Sequence, residues 1–210
     1  EIGSFTNSIT IGTYTTLTTT SPNIFITKRD LNGTYLWAKK LTNASIAIYP
    51  TPNPFTIDAS GNIYVSGGLS ISGSGTLTIG TSTISMPYSG TPTAFIVKFT
   101  SSGSPIWGTV LGSSSSIAPV INKVVVDGTS NLYVTSMFTN SLAINSTTLT
   151  ATGINTKGTC LSKLNNNGVI VYSKVIAKSQ NDFMAIAGIT SNSLIVRSEE
   201  HTSELQSHHV

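Results

Sequence analysis

Phe55-Thr-Ile-Asp58-Ala-Ser-Gly-Asn62-Ile-Tyr64-Val65 is the stretch that decides the architecture. A short apolar-rich run reaches an Asp, a polar turn follows, and a second apolar run returns. Asp58 and Asn62 suit that turn, because short side-chain acceptors bond nearby backbone N–H groups and tolerate left-handed geometry. The pattern recurs as Val124-Val-Val-Asp127-Gly-Thr-Ser-Asn131-Leu-Tyr133-Val134. A degraded copy is Ala185-Ile-Ala-Gly188-Ile-Thr-Ser-Asn192-Ser-Leu194-Ile195.

Two further segments keep step with it. Ile24-Phe-Ile-Thr-Lys28 is followed by Gly33 and Trp37, Ala94-Phe-Ile-Val-Lys98 by Gly103 and Trp107, and Thr159-Cys-Leu-Ser-Lys163 by Gly168 and Tyr172. The Lys-to-Lys steps are 70 and 65 residues. Ile9-Thr-Ile-Gly12, Leu77-Thr-Ile-Gly80 and Leu142-Ala-Ile-Asn145 form the other set, introduced by Phe5-Thr-Asn-Ser8 and Phe138-Thr-Asn-Ser141 in two copies. The order never changes, which is the signature of tandem duplication.

Each unit reads as short antiparallel strands. The expected strands are 55–58, 63–66, 77–79 paired around Gly80, 94–99 and 106–111, or roughly four per unit of 61 to 70 residues. The run 94–99 is apolar except at Lys98, as a strand buried on both faces should be. No stretch shows helical periodicity. The sequence therefore predicts an all-β, incomplete β-propeller of about three four-stranded antiparallel blades. The expected divisions are a partial blade at 1–53, blades at 54–119 and 120–180, and the start of another at 181–196.

Composition agrees. Of 210 residues, 32 are Thr, 31 Ser and 16 Asn, while 9% are charged and one is Cys. No apolar run approaches a membrane-spanning length of about 18 residues. Helix formers do not dominate, and lone Cys160 excludes a disulfide scaffold.

The run Asp58-Ala-Ser-Gly-Asn62-Ile-Tyr64-Val-Ser-Gly67, with residues 94–98, Gly103 and Trp107 after it, resembles the bacterial seven-bladed β-propeller repeat called SBBP. The resemblance covers about residues 5–196. It implies blade sheets, radial stacking and a secreted or surface-anchored parent, and it implies no activity. The third copy departs, with Gly188 for the Asp, Tyr172 for the Trp and Cys160 for the Phe. A lone blade cannot cover its own faces, so neighbours must do so. Phe25, Trp37, Phe95 and Trp107 are the expected fillers between blades. A stretch of about three units leaves two faces open, so residues 1–196 alone should be marginally stable and prone to associate.

Residues 197–210 do not match the rest. All three histidines (His201, His208, His209) and three of eight acidic residues lie there. The eleven residues Arg197-Ser-Glu-Glu-His-Thr-Ser-Glu-Leu-Gln-Ser207 resemble an in-frame translation of a common sequencing-library adapter. The expectation is a native frame cut near Val196, an artefactual, disordered tail, and a chain truncated at both ends. Without the tail the chain carries ten basic and five acidic residues, a net +5. The positive charge is scattered, which argues for solvated strand edges over a nucleic-acid stripe.

Catalytic groups are scarce. Residues 1–196 contain no His, which excludes Ser-His-Asp and Cys-His triads and a conventional zinc set there. Cys160 takes the slot of Phe25 and Phe95 and reads as a small core residue. Asp58 and Asp127 occupy equivalent turns, so they read as turn residues and not as an acid/base pair. Asp30 and Asp182 read as isolated loop residues. Ser72-Gly-Ser-Gly75 and Gly67-Gly68 lack the context of a phosphate loop and read as loops. The sequons at Asn32, Asn43 and Asn145 are expected by chance in this composition. No catalytic, cofactor-binding or metal residue is therefore assigned, and no cofactor. The leading function is a non-enzymatic, secreted or cell-surface scaffold, adhesin or binding platform, of bacterial type by the resemblance. Its partners would be a protein or glycan and the missing blades, with no nucleic acid and no membrane insertion. The alternative is a structural fragment of a larger secreted, polysaccharide-acting enzyme whose catalytic residues lie elsewhere. A parallel β-helix would need a much shorter repeat.

Overall fold

The structure, a computed structural model, describes the backbone except at residues 21, 43–45, 72–73, 80–81, 90–92, 114–118, 152–155, 180–182, 190–193 and 200–210. Side chains are also left undescribed within 42–54, 69–92, 179–194 and 196–210. Asp182, the Asn43 sequon, Ser72-Gly73 and the tail from Glu200 thus lie outside the described residues. Among the described residues all regular structure is β-strand.

The first repeat unit holds β1 (Ile2–Phe5), β2 (Ser8–Ile11), β3 (Thr15–Thr18), β4 (Asn23–Arg29) and β5 (Tyr35–Thr42). The second holds β6 (Ile46–Ile57), β7 (Ile63–Ile71), β8 (Ser74–Ile79), β9 (Ser82–Ser89), β10 (Thr93–Phe99) and β11 (Pro105–Ser113). The third repeats this as β12 (Val120–Val126), β13 (Leu132–Thr139), β14 (Ser141–Ile144), β15 (Thr147–Thr150), β16 (Lys157–Leu164) and β17 (Ile170–Ser179). A further pair follows, β18 (Phe183–Ile189) and β19 (Leu194–Glu199).

The second and third units share one plan. Four strands form an antiparallel meander, β6-β7-β10-β11 or β12-β13-β16-β17, and a hairpin is inserted between the second and third strands. The hairpin joins the neighbouring unit's sheet. Hairpin β8-β9 pairs with β5 through Leu41↔Ile79, and β14-β15 pairs with β11 through Ser113↔Ala143. Each hairpin thus latches onto the outermost strand of the preceding unit. Hairpin β2-β3 occupies the same repeat position and forms a separate two-stranded sheet.

Several expectations are corrected. Gly67 and Gly68 are not a loop: they lie inside β7, opposite Phe95 and Ala94. A glycine opposite a large ring leaves the space that the ring fills. The same device recurs at Gly3, where an added Cβ would sit 2.7 Å from the Phe25 ring, and at Gly158, 2.4 Å from Phe138. Gly75 of the other glycine-rich run lies in β8. Strand β6 runs through the division expected at 53/54, because the first strand continues N-terminally beside β7. Strand β19 runs past Val196, with Arg197, Ser198 and Glu199 paired to Ala185, Met184 and Phe183. Ladder bonds use backbone groups, so a change of side-chain composition does not stop a strand while a partner remains.

The sheets stack through alternating faces. All seven residues of β10 are buried. Phe95, Val97 and Phe99 pack with Ile24, Ile26, Trp37 and Leu41 of the first unit. Ala94 and Ile96, on the opposite face, pack with Ile121, Val124, Leu132, Val134 and Leu164 of the third. Period-two alternation sends neighbouring residues into different seams, and one strand feeds both. Full burial of such a side chain contributes about 1.5–3 kcal/mol. Phe25 corrects the list of inter-unit fillers, for it packs with Phe5 of β1 and Ile11 of β2, within its own unit. Cys160 sits at the matching place with Phe138, Leu142 and Ile144.

Candidate functional site

The polar side chains that the sequence singles out converge on the seams between units. Asp58 closes its turn: Oδ1 accepts from the backbone N–H of Ser60 at 3.0 Å and of Asn62 at 2.9 Å. Its Oδ2 accepts from Asn62 Nδ2 and from Tyr64 Oη, both at 2.9 Å. Asp127 does the same with Thr129 and Asn131. The two turns meet, since Ser130 Oγ donates to Asp58 Oδ2 at 3.4 Å. Asp30 caps its own turn through the N–H groups of Asn32 and Thr34.

Burial pushes the Asp58 and Asp127 carboxyls upward, but several hydrogen bonds outweigh it and hold both below the ordinary carboxylate value. Both are therefore ionised at neutral pH. Glycoside hydrolysis by general acid and base needs one carboxyl kept protonated, which neither supplies. Burial, then the bond to Asp58, raises the Tyr64 phenol, so Tyr64 stays a neutral donor. Burial raises the Cys160 thiol, which does not favour a nucleophilic thiolate. Among the described residues no three His, Cys, Asp or Glu side chains gather as a metal set.

A carboxylate with a lowered folded-state pKa adds stability above its unfolded pKa and loses it as pH falls through the folded one. Urea midpoints should therefore drop on acidification below the ordinary carboxylate range. Asp58→Asn should cost about 1–3 kcal/mol at pH 7 and flatten the acid limb, because the amide cannot accept from Asn62 and Tyr64 together. A midpoint unchanged at pH 7 would show that the buried turn contributes nothing.

The recurrent Lys and aromatic residues reach into the next unit. Lys28 Nζ donates to the Ser101 carbonyl at 2.8 Å, and Trp37 Nε1 to the same oxygen at 3.4 Å. One unit on, Lys98 Nζ donates to Asn166 Oδ1 at 2.5 Å and Trp107 Nε1 to the Asn166 carbonyl at 2.9 Å. Lys98 lies over the Tyr64 ring, 5.1 Å from its centre. Burial lowers its pKa and the Asp58 charge partly offsets that. Ser101 and Asn166 both stand three residues after the repeated Lys, a spacing that could have marked them in the sequence.

A cleft of about 310 Å³ lies between β1-β4 and β6-β7. Ile2, Ile26, Phe55, Ile57, Ile63 and Val65 line it. Glu1 and Arg29 pair at its rim at 2.8 Å, and Arg29 also lies over the Tyr35 ring.

The chain is thus an all-β repeat protein of stacked antiparallel sheets whose distinctive polar groups serve turns and seams. No family model matches it. It is 30% identical over 146 residues to a WD repeat-containing protein of Acanthamoeba polyphaga mimivirus, itself described as uncharacterized. That stretch is 60% of this chain and 10% of the relative, so the chain spans about a tenth of the relative's length. The relative's printed name is that of a repeat protein.

Proposed function

We propose that the stacked units are blades of a β-propeller of the SBBP type, about three in number, within a non-enzymatic scaffold or binding platform on a secreted or cell-surface protein. One observation carries the reading: Lys28, Trp37, Lys98 and Trp107 each reach a turn of the next unit, while Asp58 and Asp127 close the repeated turns. The WD-repeat relative supports the propeller, because WD repeats form four-stranded blades. The SBBP-like motifs support the secreted or surface setting. The ligand class is protein or glycan.

The test uses the full-length protein. An antibody against this chain should label intact, unpermeabilised cells that express it, and the purified protein should release no sugar from a panel of polysaccharides. Labelling only after permeabilisation overturns the surface setting. Turnover abolished by Asp58→Asn or Asp127→Asn, in variants shown to be folded, overturns the non-enzymatic reading.

A further inference from the structure

In hairpins β4-β5, β10-β11 and β16-β17 the ladder slips by one residue at the same place. Lys28↔Trp37 is followed by Arg29↔Tyr35, Lys98↔Trp107 by Phe99↔Pro105, and Lys163↔Tyr172 by Leu164↔Ile170. The extra residue is Leu36, Ile106 or Val171, so each unit sets an aliphatic side chain on a β-bulge. The three are 49%, 49% and 56% exposed. One exposed aliphatic residue means little. A bulge re-aims a side chain, however, and here it turns the same chemistry to solvent three times. Leu36 and Ile106 stay exposed with the following unit in place, its turn gripped by Trp37 or Trp107.

The same hairpins hold the positive charge. Basic residues look scattered along the sequence, but the fold gathers them. The three hairpins with their turns carry nine basic residues and one acidic, Asp30, a net +8. The remainder of residues 1–196 sets Lys123 against Glu1, Asp58, Asp127 and Asp182. Among the described residues only Arg29 has an ion-pair partner, Glu1. The repeated Lys stands across the ladder beside each bulge and touches neutral groups: Lys28 a carbonyl, Lys98 an amide oxygen, Lys163 the Tyr133 ring. Each keeps a charge that no contacting carboxylate neutralises. Because Lys28 and Lys98 reach the turn of the next unit, the three bulges lie along one continuous rim.

We propose that this rim is the docking surface for a protein segment rich in Asp or Glu and in aliphatic residues. Its carboxylates meet the cations of the hairpins, and its aliphatic side chains cover Leu36, Ile106 and Val171. This names the partner class of the platform proposed above and rests on that reading. Complementary charge speeds encounter and rejects basic partners, while aliphatic cover supplies the dry centre of the contact. A sugar polymer fits less well, because it stacks on open aromatic faces. Here Arg29 lies over Tyr35, Lys174 over Tyr172, and the Gly103 and Gly168 turns against Trp37 and Trp107. A flat bilayer also fits less well, since the polar turn tips Ser101-Ser102 and Asn166-Asn167 project beyond Ile106 and Val171 and meet it first.

Fluorescence anisotropy on the full-length protein tests this with two short labelled peptides, one of Leu and Glu and one of Leu and Lys in the same pattern. The acidic peptide should bind at least about tenfold more tightly than the basic one at low salt, and molar salt should erase most of that margin. Leu36→Ser with Ile106→Ser should weaken the acidic peptide about tenfold. Lys174→Glu, an exposed change in the third unit, should narrow its preference over the basic peptide, whereas Thr148→Glu, on exposed β15 outside the hairpins, should not. Unchanged urea midpoints show that the variants are folded. Equal binding of the two peptides, or binding indifferent to both the bulge and the Lys174 substitutions, overturns the proposal. Binding of phosphatidylglycerol vesicles or polygalacturonate without binding of the acidic peptide overturns it in favour of a lipid or glycan ligand and leaves the platform standing. The surface setting is judged by antibody labelling alone, so the two readings fail separately.

Discussion

Phe95→Ala should lower the free energy of unfolding by about 3–5 kcal/mol. Phe95 is fully buried in the seam between the first and second units, among Trp37, Leu41, Val65 and Val97. Truncation removes the transfer energy of the ring and leaves a void. That void closes poorly, because the strand partner across from Phe95 is Gly67, which has no side chain to move into it. The residues on both sides belong to sheets fixed by their own ladders. Urea unfolding followed by Trp fluorescence reads the effect directly, since Trp37 and Trp107 are both seam residues. A loss below about 1 kcal/mol, in the range of an ordinary surface substitution, would mean that the first two units do not pack through this face. Ile57→Ala, by contrast, should change stability little, for Ile57 is 53% exposed in the cleft.

Gly168→Ala should cost roughly 2–5 kcal/mol, and the same change at Gly33 only about 1–2 kcal/mol. Both glycines occupy the same turn position, with φ of +78° and +85°. A left-handed backbone brings an alanine into conflict with its own carbonyl, so that part of the cost is shared. The difference lies above the turn. At Gly168 the new methyl would sit 2.6 Å from the Trp107 ring and 2.8 Å from Thr109 Oγ1, whereas at Gly33 it would meet open space. It would also disturb the bond from Thr109 Oγ1 to the Gly168 carbonyl, 2.6 Å long. Gly103→Ala, 2.9 Å from Trp37, should resemble Gly168→Ala. Equal losses at Gly33 and Gly168, measured by chemical denaturation, would show that the cost is wholly local and that no ring rests on the turn.

The repeat, its period and its strands were legible because each local signal agreed with the others. Asp58 and Asp127 announce turns by side-chain chemistry that acts within four residues, and the structure shows those bonds in place. The nearly unbroken apolar run 94–99 announces a strand buried on both faces, and all of β10 is buried. The features that local signals misplace have partners far along the chain. Gly67-Gly68 resembles a loop until Phe95 is seen across the ladder. Phe25 and Phe95 share a repeat position, yet Phe25 meets Phe5 and Ile11 of its own unit while Phe95 meets Trp37.

The candidate seam was half legible. Repeated Lys, Gly and aromatic positions could be counted, but their purpose could not. Lys98 and Asn166 are 68 residues apart, and Trp107 and Asn166 are 59 apart. Propensity and periodicity carry no information across such distances. Sequence alone determined that this polypeptide makes short antiparallel strands in tandem units, because strand and turn preferences are set by neighbouring residues. Only the tertiary structure decided that hairpins β8-β9 and β14-β15 clasp the unit before them and that Lys28, Trp37, Lys98 and Trp107 grip the turn after them. Those choices depend on which faces and edges remain uncovered once the sheets exist, a property of the stack that no single unit contains.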